Sequence, residues 1–209
     1  MPAQAMSDPL MIDRIRAALS ESAEALSSLM GSERALVSIG RAGEALAAAF
    51  RRGGRVFACG NGGSMSDAIH FAEELSGRYR KDRPALAAVA ISDPGHLTCA
   101  ANDFGFDQVF ARYLEAHGRQ GDALLAISTS GKSGNLLAAA RRAKDLGMTV
   151  IALTGKPGSP LGLSAEIEIG TPAGEWSDRV QELHIKVIHV LVEIVERRLF
   201  PENYPPETD

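Results

Sequence analysis

The sequence predicts an α/β fold: a mostly parallel sheet preceded by an N-terminal helical hairpin. Two observations carry this. Short apolar runs suited to buried strands (residues 56–59, 86–91, 122–128, 148–154 and 165–169) are separated by stretches of helical period. Strands spaced by helices of this length make right-handed βαβ crossovers and so a parallel sheet. The two segments richest in glycine and hydroxyl groups, residues 60–64 (GNGGS) and 128–133 (STSGKS), each follow such a run and precede a helix. Ligands of open parallel sheets bind beyond the carboxyl ends of the strands, where both segments fall.

Taken in order, Asp8-Pro9 reads as an N-cap followed by proline at the first helical position. Ile12, Ile15, Leu19, Leu26 and Leu29 then recur at helical spacing. Gly31-Ser32 ends that helix and starts another, with Leu36, Ile39, Leu46 and Phe50 as its apolar positions. An amphipathic hairpin outside the α/β core is expected to pack on a partner subunit. The run at 56–59 is the first strand, Gly60 to Gly63 break it, and Ser64 or Ser66 can cap the next helix. After the strand at 86–91 come a helix over 93–101, a turn at Asn102-Asp103-Phe104-Gly105, and a helix over 107–116. The strand at 122–128 leads through 129–134 into a helix over 135–146, stopped by Gly147. The strand at 148–154, a turn at 155–160 and a last strand at 165–169 precede a long helix over 177–200, capped by Ser177. Residues 201–209 are too rich in proline and charge for a core element. The organisation expected is a hairpin over 1–54, a ligand-binding domain over 55–200 and a tail over 201–209.

With 209 residues and a net charge of −4, the chain can bury a sizeable core and lacks a nucleic-acid footprint. Cys59 and Cys99 lie in apolar surroundings and read as buried free thiols of a reducing cytosol. No apolar run approaches the roughly 20 residues needed to span a bilayer, and the N-terminus lacks the pattern of a signal peptide. A soluble, cytoplasmic protein without membrane or nucleic-acid partners is expected.

Residues 128–133 bring four serine and threonine hydroxyls and several backbone N–H groups to a helix N-terminus, which suits a phosphate monoester. The segment is not a Walker A loop, since Ala126 stands where that motif needs glycine. His70 and Glu74 share one helical face and could share a proton, a metal or a substrate. Gln181 and His189 interrupt the apolar stripe of the last helix, about 12 Å apart in rise, so they reach one site only from opposite sides. His96, His117 and His184 read as structural or surface residues.

The runs GNGGSxxDAxHFAEE, ANDFGFD, ISTSGKSxN and VQELHIKVIH resemble the sedoheptulose-7-phosphate (phosphoheptose) isomerases of the SIS, or sugar isomerase, family. The resemblance covers residues 55–200. It implies a flavodoxin-like three-layer sandwich, assembled as a homotetramer with sites at subunit boundaries. It also implies one divalent metal per subunit, zinc where identified, with His70, Glu74, Gln181 and His189 as ligands. Glu74 and His189 match the acid–base pair. Asn61, Gly62, Gly63, Ser64, Glu74, Asn102, Asp103, Ser128, Thr129, Ser130, Ser133 and Gln181 match substrate-binding positions, and Asp67 and Asp178 match acidic positions without a fixed role. The reaction implied moves a proton between adjacent carbons of sedoheptulose 7-phosphate through an enediol. Its product feeds nucleotide-activated heptose synthesis for lipopolysaccharide, capsule or glycoprotein. Met65 departs from the smaller or polar residue expected in the first loop, which bears on the sugar accepted. Two alternatives stand beside this reading: isomerisation of another sugar phosphate, and a non-catalytic SIS protein that binds a phosphosugar or a replication initiator. The presence of Glu74 and His189 favours the enzyme.

Overall fold

The computed structural model of the chain describes residues 9–174 and 176–205. Five strands, β1 (Val56–Gly60), β2 (Ala88–Ala90), β3 (Ala123–Ser128), β4 (Thr149–Thr154) and β5 (Ile167–Gly170), form one sheet in the order β2-β1-β3-β4-β5. Every neighbouring pair is parallel. This is the flavodoxin-like order, and its connections reverse direction between β1 and β3. The loops after these two strands therefore flank one crevice.

Among the described residues eight α-helices accompany the sheet: α1 (Pro9–Met30), α2 (Glu33–Arg51), α3 (Gly63–Ser76), α4 (Pro94–Phe104), α5 (Val109–His117), α6 (Gly134–Asp145), α7 (Pro160–Leu163) and α8 (Ser177–Leu199). Side chains alternate between the faces of a strand, and two cores result. Val56 and Ala58 of β1, with Ala123, Leu125 and Ile127 of β3, pack against α2, α3 and α8. Phe57 and Cys59, with Leu124 and Ala126, pack against α4, α5 and α6. Strands buried on both faces need apolar residues at every position, which is why they read as continuous runs.

The hairpin divides as its turn predicts, with the Ser32 hydroxyl accepting from the Ala35 N–H at 3.4 Å. Its apolar positions do not all find a partner, however: Ile15, Leu19 and Leu36 are exposed. Several boundaries differ from the sequence reading. Residues 102–104 continue α4 rather than forming a turn, because Asp93 caps the His96 N–H at 2.7 Å and Gly105 provides the stop. A 3-10 turn, Phe106–Gln108, opens the segment expected to be helical from residue 107. Residues 160–163 are helical, with Ser159 as N-cap. Trp176, not Ser177, is the N-cap of α8, and Gly62, not a serine, is that of α3. Cys99 is exposed on α4, its thiol directed at the Asp103 carboxylate, so only Cys59 is a buried thiol. Asp8 and residues 206–209 lie outside the described residues.

Candidate active site

At the carboxyl end of the sheet two loops are tied together by their amides. Asn61 Nδ2 donates to Asn135 Oδ1 at 3.0 Å, and Asn135 Nδ2 returns a bond to Asn61 Oδ1 at 2.8 Å. Asn135 is buried in the first turn of α6, so this pair fixes the spacing between the β1 and β3 loops. Gly62 turns the chain into α3 with φ at +54°, a conformation side-chain-bearing residues avoid. In the second loop the Ser128 hydroxyl accepts from Gly131 N–H at 3.1 Å and that of Ser130 from Lys132 N–H at 3.2 Å. Ser133 is the N-cap of α6 without a side-chain capping bond. Thr129 and Ser130 line a cavity of about 240 Å³ together with Lys132, Gly155, Lys156 and Ser177. Hydroxyls, two ammonium groups and a nearby helix N-terminus suit a phosphate dianion.

Farther along α3 a second group forms. His70 Nε2 lies 2.9 Å from His189 Nε2 of α8 and 3.4 Å from Glu74 Oε1. On the other side of the ring, His70 Nδ1 lies 3.2 Å from the Glu73 carboxylate. A proton held on Nδ1 by that carboxylate leaves Nε2 with its lone pair facing His189 and Glu74. Tyr79 places its ring 6.0 Å from that of His189. One turn before His70, Asp67 is nearly buried with Oδ2 unpaired. Burial raises its carboxyl to about 6, an effect that His70 opposes in part whenever its ring is protonated.

The other expected residues are distributed around these two groups. Gln181 lies against Gly63 at the start of α3, while His189 meets His70 two turns later, so α3 and α8 run side by side in one direction. Gln181 thus lies on the same α3–α8 seam as the group of three, toward the N-terminal end of α3. Ser64 is almost fully buried in the first turn of α3. Asn102 and Asp103 are exposed on the last turn of α4 and bonded to each other at 2.8 Å. The following turn comes back to the mouth, where the Asp107 carboxylate packs against Gly134. Asp178 is exposed and pairs with Arg179 at 3.7 Å. His184 is fully buried, and burial lowers its imidazole to about 4 despite a favourable interaction with the Thr154 backbone. Neither of its ring nitrogens has a well-formed hydrogen bond.

Comparison with known proteins decides the family. The SIS domain matches residues 19–155. Phosphoheptose isomerases of Edwardsiella ictaluri and Pectobacterium atrosepticum are 51% and 53% identical to this chain over 187 residues, spanning 90% of it and 97% of each relative. The chain belongs to the phosphoheptose isomerases. Solved structures agree. Phosphoheptose isomerase GmhA from Neisseria gonorrhoeae superposes with a TM-score of 0.82 at 36% identity, covering 89% of this chain and 98% of that one. The phosphoheptose isomerase of Francisella tularensis gives 0.84 at 34% identity, covering 90% and 98%.

A metal is part of what the resemblance to phosphoheptose isomerases implies, and the residues present fit one. The ligand atoms of His70, Glu74 and His189 all lie within 4.8 Å of one another. Two imidazoles and a carboxylate are a donor set that zinc accepts, and metal–ligand bonds near 2.0–2.1 Å in a tetrahedron set ligand atoms about 3.3 Å apart. The 2.9 and 3.4 Å separations here bracket that spacing. Asn135, Glu73 and Lys156 border the candidate site, although the sequence singled out none of them by number. Asn135 and Glu73 lie inside the runs ISTSGKSxN and GNGGSxxDAxHFAEE, and Lys156 lies in the turn at 155–160, which is expected to line the open end. Glu73 reads as surface charge until the ring of His70 is placed.

Proposed function

We propose that this chain converts sedoheptulose 7-phosphate to D-glycero-D-manno-heptose 7-phosphate. The observation that carries the proposal is the contact of His70, Glu74 and His189 in a chain that matches phosphoheptose isomerases over 90% of its length. Aldose–ketose isomerisation needs a base for a carbon-bound proton, an acid for the oxygens and stabilisation of oxyanion charge. Glu74 and His189 form the acid–base pair, one moving the carbon-bound proton while the other protonates oxygen. His70, its Nδ1 held by Glu73, presents Nε2 to both. Thr129, Ser130, Ser133, Lys132 and Lys156 receive the phosphate. Asn61 shapes the loop beside it, with Gly62, Gly63 and Ser64 bringing the backbone of α3 close. Asn102 and Asp103 border the sugar. Zinc, held by His70, Glu74 and His189, would polarise the carbonyl as a Lewis acid. Gln181 is the proposed fourth ligand; reaching that position takes a swing of its amide away from Gly63 or a donor from a neighbouring subunit.

We read the assembly as a homotetramer with sites at subunit boundaries. In support, Leu26, Leu29, Met30, Leu36, Ile39 and Val190 line an apolar groove of about 280 Å³ on the hairpin and α8. A cytoplasmic location and a product used for nucleotide-activated heptose, as in lipopolysaccharide, go with this reading. No helix among the described residues is long and apolar enough to cross a membrane.

The test is turnover of sedoheptulose 7-phosphate by the purified protein, before and after chelation and with zinc restored. Turnover abolished by chelator and restored by zinc is expected. Turnover indifferent to chelator would reduce the group to a metal-free acid–base site. No turnover in any state would favour another sugar phosphate or a binding protein.

A further inference from the structure

The segment after α8, too polar to read as a core element, returns at residues 201–204 to the helix that carries His189. After α8 stops at Leu199, a 3-10 turn, Pro201–Asn203, redirects the chain. The Tyr204 hydroxyl then donates to Glu196 Oε2 at 2.7 Å. Glu196 is fully buried, and its Oε1 accepts from Arg83 Nε at 2.7 Å. The same guanidinium donates to the carbonyls of Glu74 and Leu75, each at 2.7 Å, and of Gly77 at 3.0 Å. These are carbonyls at the C-terminal end of α3, beginning with that of Glu74 itself. Burial and the bond to Glu196 raise the Tyr204 hydroxyl well above its ordinary value, so it stays a donor throughout the working range.

A second line of contacts runs from the tyrosine ring. Arg197 lies over that ring at 4.4 Å and pairs with Glu193 at 2.8 Å. Glu193 in turn pairs with Arg80 at 2.8 Å. Arg80 lies over the ring of Tyr79 at 5.2 Å, and Tyr79 neighbours His189. Tyr204 is thus joined to both halves of the site, through Arg83 to the backbone of Glu74 and through Arg80 and Tyr79 to the ring of His189.

We propose that the C-terminal segment is a latch on the active site and that Tyr204 is a positioning residue for it. By clamping the last turn of α3 to α8, the latch keeps the Glu74 carboxylate and His70 Nε2 in reach of His189 Nε2. The inference rests on the reading of those three residues as the reacting and metal-holding group. Glu196 and Arg83 form the rigid part, since both are buried and charged and neither can move without breaking the other's bonds. Tyr204 is the part that can be removed without opening the core.

The test compares the wild-type chain with Tyr204→Phe, which loses only the hydroxyl, and Tyr204→Ala, which loses both lines of contact. Each metal-free protein is titrated with Co²⁺, followed by visible absorption, and then assayed for kcat and KM well below its unfolding temperature. Loss of an outer partner of metal ligands typically costs about 10–100-fold in affinity or activity. Tyr204 touches no ligand itself and acts through Arg83 and Arg80, so the Phe variant is expected below that range, at about threefold, and the Ala variant at about tenfold. KM should stay within about twofold, because the phosphate loops lie outside the latch. A purely structural tail would lower the melting temperature and leave Co²⁺ affinity, absorption spectrum and kcat of the folded protein at wild-type values. That result would overturn the latch alone. A wild-type chain with neither Co²⁺ binding nor turnover would overturn the latch together with the reading of the site.

Discussion

Arg83→Met tests how α3 is held in place, and its cost follows from the structure. The side chains of Arg83 and Glu196 are each only 1% exposed. The guanidinium donates to the Glu196 carboxylate and to the carbonyls of Glu74, Leu75, Gly77 and Pro84. Methionine fills much of the same volume but leaves Glu196 as a buried charge with only Tyr204 as donor, and it strips the end of α3 of its cap. Removing one partner of a buried ion pair costs about 3–5 kcal/mol, far more than the pair itself contributes to stability. A loss of about 4 kcal/mol corresponds to a fall of roughly 8–16 °C in melting temperature for a chain of this size. The assay is urea unfolding of wild type, Arg83→Met, Glu196→Met and the double variant at one protein concentration, so that assembly does not confound the comparison. The double variant, which has no orphaned charge, should recover more than half of the loss. A single-variant loss below about 1 kcal/mol, or a double variant no better than Arg83→Met, would refute the reasoning.

Two further outcomes follow from single positions. The Gln181 amide packs against Gly63, and because it is the proposed fourth ligand, Gln181→Ala should lower kcat/KM about tenfold. The melting temperature should change little, since Gln181 is only half-buried on α8 and alanine is at least as good a helix former; unchanged kcat/KM would remove Gln181 from the site. His184 concerns pH. Burial holds its imidazole near 4 in the folded chain against the ordinary 6.5, so between these values the unfolded chain binds more protons and stability is lost as the pH is lowered. The loss from pH 7.5 to pH 5 is about 2 kcal/mol. Asp67, raised to about 6, acts in the opposite sense over part of that range, so the informative quantity is the difference between wild type and His184→Phe. The variant's stability should fall by about 2 kcal/mol less, and parallel curves would show that His184 is not held neutral.

The sequence by itself determined the alternation of strands and helices, the two loops at the strand ends, and the shared face of His70 and Glu74. Each depends on local sterics and on the periods of helix and strand, which a short window of residues contains. The same local rules misplaced residues 102–104 and the cap of α8, where neighbouring residues offered two acceptable continuations and packing selected one. The resemblance already implied a flavodoxin-like sheet and a common site for His70 and His189; only the tertiary structure supplied their geometry, the position of Gln181 beside Gly63 and the return of Tyr204 to Glu196. His70 and His189 are 119 residues apart, and Arg83 and Glu196 are 113 apart. No periodicity links residues at such separations. They meet because burying the apolar faces of α3 and α8 against one side of the sheet leaves a single register, and the polar groups along that seam must then find their partners in each other.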